Sequence, residues 1–170
     1  KTKFAKMKRP KIAFTFNGLL TSFIDKQLTM NNIAPILELD ADFICLHKKD
    51  DIKNMELIPS NFQIFDIDQE TPFEDTIAIL QNVDLFITID TAVTHLAGVM
   101  GIKTWLLLGY GSDWRWFKDE TKCDLYDSVE YIRLKKNIPF KDIVPHVVNK
   151  LKSYLSCLGF CELNEEGNKE

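Results

Sequence analysis

Residues 90–101 hold the side chains best suited to chemistry in this chain: Asp90, Thr91, Thr94 and His95, at the start of a helical stretch that directly follows an apolar strand. The full run, residues 84–101, reads DLFITIDTAVTHLAGVMG. The first amides of a helix lack intrahelical partners and lie at the positive end of its dipole. A helix start behind a strand is therefore a natural seat for an anion, and a phosphate-bearing ligand is what this spacing predicts. Asp90 or Thr91 can cap the helix, and Thr91 and Thr94 bring hydroxyls near the free amides around Ala92. Val93, Leu96, Ala97 and Met100 fall on one helical face that should pack on a sheet, with His95 off it. Gly98 inside a helix costs about 1 kcal/mol against alanine, which implies the close approach of another backbone or a ligand. A plainer reading of the same residues is an Asp-Thr cap and a partly exposed histidine. Neither G-x-G-x-x-G nor G-x-x-x-x-G-K-[ST] occurs, so the dinucleotide and Walker fingerprints are absent.

A second loop, residues 109–117, reads GYGSDWRWF. Gly109 and Gly111 permit unusual backbone angles. Tyr110, Trp114 and Trp116 beside Asp113 and Arg115 can wall a binding site, since aromatics stack on sugars or bases and arginine forks onto phosphate. The expected pose has both tryptophans anchoring the loop while Arg115 faces the crevice. The alternative is an apolar plug with a local Asp113–Arg115 ion pair. Asn17-Gly18 is either a simple turn or a point where backbone approaches a phosphate.

The elements around these residues alternate. Strands are predicted at 11–16, 42–47, 62–66, 84–89, 104–108 and 130–134, several continuously apolar, as a parallel sheet covered on both faces requires. Helices are predicted at 32–39, interrupted by Pro35, at 71–81 behind a Thr71-Pro72-Phe73-Glu74 capping box, at 91–100 with Gly101 as its stop, and from about 141 to 158. The pattern predicts a doubly wound, mostly parallel Rossmann-like α/β domain of about six strands over residues 11–158. Such sheets bind ligands at their carboxyl edge. Residues 1–10 read as a basic linker, or as a basic arm for a membrane or nucleic acid, and 159–170 as a flexible polar tail.

The chain has 170 residues and a formal charge of -4, which speaks against unaided nucleic-acid binding. No apolar run approaches the roughly 20 residues of a membrane span, and no signal-peptide core is present. Cys45, Cys123, Cys157 and Cys161 show neither disulfide-framework nor zinc spacing, so the expectation is reduced thiols in a cytoplasmic protein. Lys1 in place of Met reads as the start of a fragment.

Residues 87–117 resemble the C-terminal half of GT-B glycosyltransferases. They are most similar to the glycosyltransferase-like domains found behind tetratricopeptide repeats and, more distantly, to the ADP-heptose:lipopolysaccharide heptosyltransferases with their D-T-G-x-x-H-L/M-A-A segment. The match is strong from 83 to 117 and weaker from 11 to 154. The resemblance implies a nucleoside diphosphate sugar donor, no metal or cofactor, and a diphosphate seat at Asp90, Thr91, Ala92, Thr94 and His95, with Gly18, Tyr110 and Arg115 as further substrate contacts. It also implies an upstream acceptor or tetratricopeptide-repeat domain. The chain departs from the family in the loop after the first strand. Gly18 and Asp25 are kept, but the family's His and Arg positions hold Ser22 and Leu28, and Gly109 replaces a proline before Tyr110. Asp25 is the one candidate base on this chain; the acceptor domain is the other source.

Three functions compete. The first is the donor-binding half of a glycosyltransferase. The second is a non-catalytic, degenerate transferase domain kept as an interaction module, which the altered 18–29 loop supports. The third, an unrelated α/β hydrolase or epimerase using Asp90 and His95, lacks a G-x-S-x-G elbow.

Overall fold

The computed structural model describes residues 4, 7–16, 28–46, 59–65, 72–116 and 123–159. Its elements run β1 (Lys11–Phe14), α1 (Met30–Leu37), β2 (Asp42–Cys45), β3 (Phe62–Ile64), α2 (Pro72–Leu80), β4 (Leu85–Ile89), α3 (Ala92–Val99), β5 (Thr104–Leu108), β6 (Val129–Arg133) and α4 (Val144–Cys157). The six strands form one sheet in the order β3-β2-β1-β4-β5-β6. Every pairing is parallel, so the expected mostly parallel sheet is wholly so among the described strands. This is a doubly wound, Rossmann-like α/β domain.

The pleat sends alternate side chains to opposite faces. Ile12, Phe14, Leu85, Ile87, Trp105 and Leu107 enter a core shared with α1 and α4. Ala13, Ile44 and Phe86 face the other way, toward Ile79, Leu80 and Ala97 of α2 and α3. Beyond them, Leu106, Leu108, Val129 and Tyr131 close on Trp116. Each fully buried Phe, Leu or Ile contributes about 1.5–3 kcal/mol, so both faces of the sheet carry weight.

The helix ends explain the differences from the predicted spans. α1 begins at Met30 and not at Asn32, because Thr29 caps it: the Asn32 amide donates to Thr29 Oγ1 at 3.3 Å, and Asn32 Oδ1 accepts from the Thr29 amide at 2.9 Å. Pro35 lies inside this helix on its exposed side. The Asn31 carbonyl that it leaves unbonded belongs to an exposed residue, where water can serve it. α2 starts at Pro72; Thr71 of the expected capping box lies outside the described residues. Gly101, at φ 68°, stops α3 as expected. A 3-10 turn, Phe140–Ile143, precedes α4 and takes up the first residues of the predicted last helix. Pro145 is then its second residue, where no amide bond is lost.

Part of the stretch read as a linker is docked. Met7 is buried, Phe4 stacks on Phe65 at 5.1 Å, and Arg9 pairs with Asp42 at 2.8 Å. Of the expected tail only Gly159 is described. Cys45 and Cys123 are buried and Cys157 is exposed, none of the three in a disulfide among the described residues, and Cys161 lies outside the described residues. Among the described residues no helix is long and apolar enough to cross a membrane.

Candidate functional site

The strand order sets the place of the site. β1 and β4 are neighbours, yet the chain leaves β1 toward β2 and β4 toward β5, in opposite directions along the sheet. Helices on opposite faces part at such a junction and leave a crevice outside the carboxyl ends of the strands. β4 ends at Ile89, and Thr91, in extended backbone at φ -143° and ψ 167°, opens α3. Of the two expected caps, Thr91 therefore holds the position. Asp90 beside it is half-buried. The Thr91 hydroxyl oxygen is enclosed; it faces the Thr94 amide in a capping-box arrangement but makes no well-formed hydrogen bond among the described residues. The amides of Ala92 and Val93 open the helix and by position lack intrahelical acceptors. The first turn of α3 carries no acid, whereas that of α2 carries Glu74 and Asp75. The positive end of α3 is thus not neutralised by a carboxylate of its own first turn.

Thr94 takes a different part from the one its sequence position implied. It is fully buried, and its hydroxyl donates to the Ile89 carbonyl at 3.0 Å. Thr88 donates to the same carbonyl at 2.8 Å, and Thr15 Oγ1 lies 2.5 Å from Thr88 Oγ1. A hydroxyl has one proton. With the Thr88 proton on Ile89, Thr15 is the donor to Thr88. The Thr91 amide completes the chain by reaching Thr94 Oγ1 at 3.4 Å. The Thr94 hydroxyl therefore fastens the strand end to the helix. The buried side of α3 includes this threonine with Ala97, while Leu96 of the predicted apolar face is half-buried.

His95 is enclosed by aromatics. Its ring stacks on Trp116 at 5.0 Å between centroids and meets Tyr126 edge-on at 5.9 Å. Its Nδ1 lies 3.0 Å from the Tyr126 hydroxyl. Gly98 supplies the room. A Cβ there would lie 2.4 Å from the Tyr126 ring, so the close approach expected at this glycine is made by a side chain and not by backbone or ligand. Tyr126 is the partner that sequence reasoning missed at this helix.

The aromatic loop has one anchor where two were expected. Trp116 is fully buried, and Trp114 is 78% exposed. Arg115 is exposed and pairs with Asp113 at 3.4 Å, while its amide bonds Asp113 Oδ1 at 3.0 Å. That is the local ion pair of the alternative reading. Tyr110 is 48% exposed. The loop is tied down by Arg133, the last residue of β6, whose guanidinium donates to Ser112 Oγ and to the Trp116 carbonyl and lies over the Tyr131 ring at 5.4 Å. Arg133 was also missed; its one sequence signal is a cation ending the strand beside β5. Burial first, and then the adjacent Cys123 side chain, push the Tyr131 phenol above its ordinary range.

The fold thus brings Asp90, Thr91, Ala92, Thr94 and His95 together at one helix start. Gly18, Ser22 and Asp25 lie outside the described residues. Leu28 is a buried core residue. No group of three or more metal-ligating side chains occurs among the described residues. No protein family's sequence profile matches this chain, and no curated protein matches it either.

Proposed function

We propose that this domain binds a nucleoside diphosphate sugar as the donor half of a glycosyltransferase, with the diphosphate at the start of α3. The observation that carries the reading is the Thr91 turn. An enclosed hydroxyl and the first amides of a helix with no acid in its first turn stand, next to Asp90, at the junction where this sheet reverses its winding. The resemblance of residues 83–117 to GT-B donor halves supports it. Such a site stabilises the departing diphosphate with preorganised donors, which act on charge as it develops on the leaving group. His95 adds a ring nitrogen on the same helix. The acceptor and the general base belong to a second, upstream domain.

Thermal and urea unfolding with UDP, ADP and GDP test the reading. Binding to the native state alone stabilises by about 2.7 kcal/mol at a hundredfold excess over Kd. No shift with any of the three at millimolar concentration sinks it. The alternative, a degenerate module without donor binding, is favoured by Leu28: its side chain packs in the core where the related domains carry arginine.

A further inference from the structure

We infer that Tyr126 is a positioning residue that sets His95 as a neutral hydrogen-bond donor, through Nε2–H, toward an anion in the crevice; the anion part rests on the donor-binding reading above. Gly98 and His95 lie three residues apart on α3 and so share a face. The Tyr126 ring is seated directly against the helix at Gly98, where ring carbons would stand 2.4, 2.5 and 2.8 Å from any added Cβ. With its ring seated there, its hydroxyl falls 3.0 Å from His95 Nδ1. Trp116, itself fully buried, stacks on the face of the His95 ring at an interplanar angle of 22°. The imidazole is therefore held in plane and in rotation.

Proton accounting then selects the tautomer. The Tyr126 hydroxyl has one proton, and His95 Nδ1 is its one partner among the described residues. Donation to Nδ1 satisfies both groups and leaves the ring proton on Nε2. The reverse assignment leaves the phenol proton without a protein acceptor among the described residues and makes Nε2 a bare acceptor, which would repel a phosphate oxygen brought to it. Nε2 itself has no hydrogen bond among the described residues. His95 is thus a donor without needing a charge, and Tyr126 acts through it without touching the ligand.

Two measurements on the full chain test this. The first is the 15N spectrum of the His95 ring in mildly alkaline buffer, assigned with His95→Gln. The expected wild-type ring carries its proton on Nε2 alone. In Tyr126→Phe, which keeps the ring against Gly98, the Nδ1 signal should move to that of an unbonded nitrogen. Gly98→Ala, which displaces the ring, should do the same. A wild-type proton on Nδ1, or an Nδ1 signal unmoved in Tyr126→Phe, overturns the proposal. The second is UDP titration: Tyr126→Phe should bind roughly 3- to 10-fold more weakly, the worth of one net hydrogen bond, and unchanged affinity counts against the proposal. Wild-type protein that binds none of UDP, ADP or GDP overturns the donor reading and the anion part with it, while the spectrum still decides the role of Tyr126.

Discussion

The hydroxyls of Thr15 and Thr88 sit 2.5 Å apart where β1 meets β4, and the Ile89 carbonyl takes protons from both Thr88 and Thr94. Thr88→Val keeps the volume but leaves the buried Thr15 hydroxyl without an acceptor. It should cost about 1–3 kcal/mol, read by urea denaturation. Adding Thr15→Val removes the stranded donor, so the pair should cost less than the sum of the two single changes. Strict additivity would show that the two hydroxyls are not coupled.

Gly98→Ala should run against helix propensity. In an ordinary helix interior the change stabilises by up to about 1 kcal/mol. Here the new methyl meets the Tyr126 ring, and a loss of about 1–3 kcal/mol is expected. In a Tyr126→Ala background the same substitution should become neutral or stabilising. A Gly98→Ala protein with a raised Tm in the native background would contradict the packing described.

The two tryptophans of the loop should separate cleanly. Trp116→Ala removes a fully buried ring that supports His95 and is expected to cost about 3–5 kcal/mol. Trp114→Ala, at an exposed position, should stay within about 0.5 kcal/mol of wild type. Equal losses in thermal unfolding would mean that both rings anchor the loop.

Alkaline stability should depend on two phenols. Burial raises Tyr131 and Tyr154 above the ordinary value of 10.0. The unfolded chain then ionises first while the native state still holds its protons. The stabilisation is complete below pH 10.0 and is lost as pH rises through the native values. Urea midpoints should fall above about pH 10, and more shallowly in Tyr131→Phe. An identical slope in that variant would rule out a Tyr131 contribution.

The sheet was legible because both its faces are covered. Several strands are short, largely apolar runs, and β5 matches its predicted span at both ends. The start of α1 was not legible, because Asn32 does the work that Glu or Gln does in the usual capping pattern. At the site, spacing placed Thr91 and His95 at one helix start but could not assign their partners. Tyr126 reaches His95 across 31 residues, and Arg133 reaches Trp116 across 17. Nothing in the run DWRW distinguishes the buried tryptophan from the exposed one; that is decided by Arg133 and Tyr131 on the adjoining strand. Thr94 misled for a related reason. Its hydroxyl reads as surface chemistry, and only the nearby Ile89 carbonyl makes it an interior fastening.

The position of the β1–β4 pairing has a consequence for assembly. Every other pairing among the described strands joins consecutive strands, whereas this one joins Thr15 to Thr88, 73 positions apart. The chain can therefore close as two local halves, β1–β3 and β4–β6, and the entropy of the long closure falls on the step that brings them together. The crevice lies on that seam, so it exists only after the halves have met. A molecule straddling it acts as a clasp that holds contacts formed late. Its mark would be a slower unfolding rate, with the refolding rate little changed.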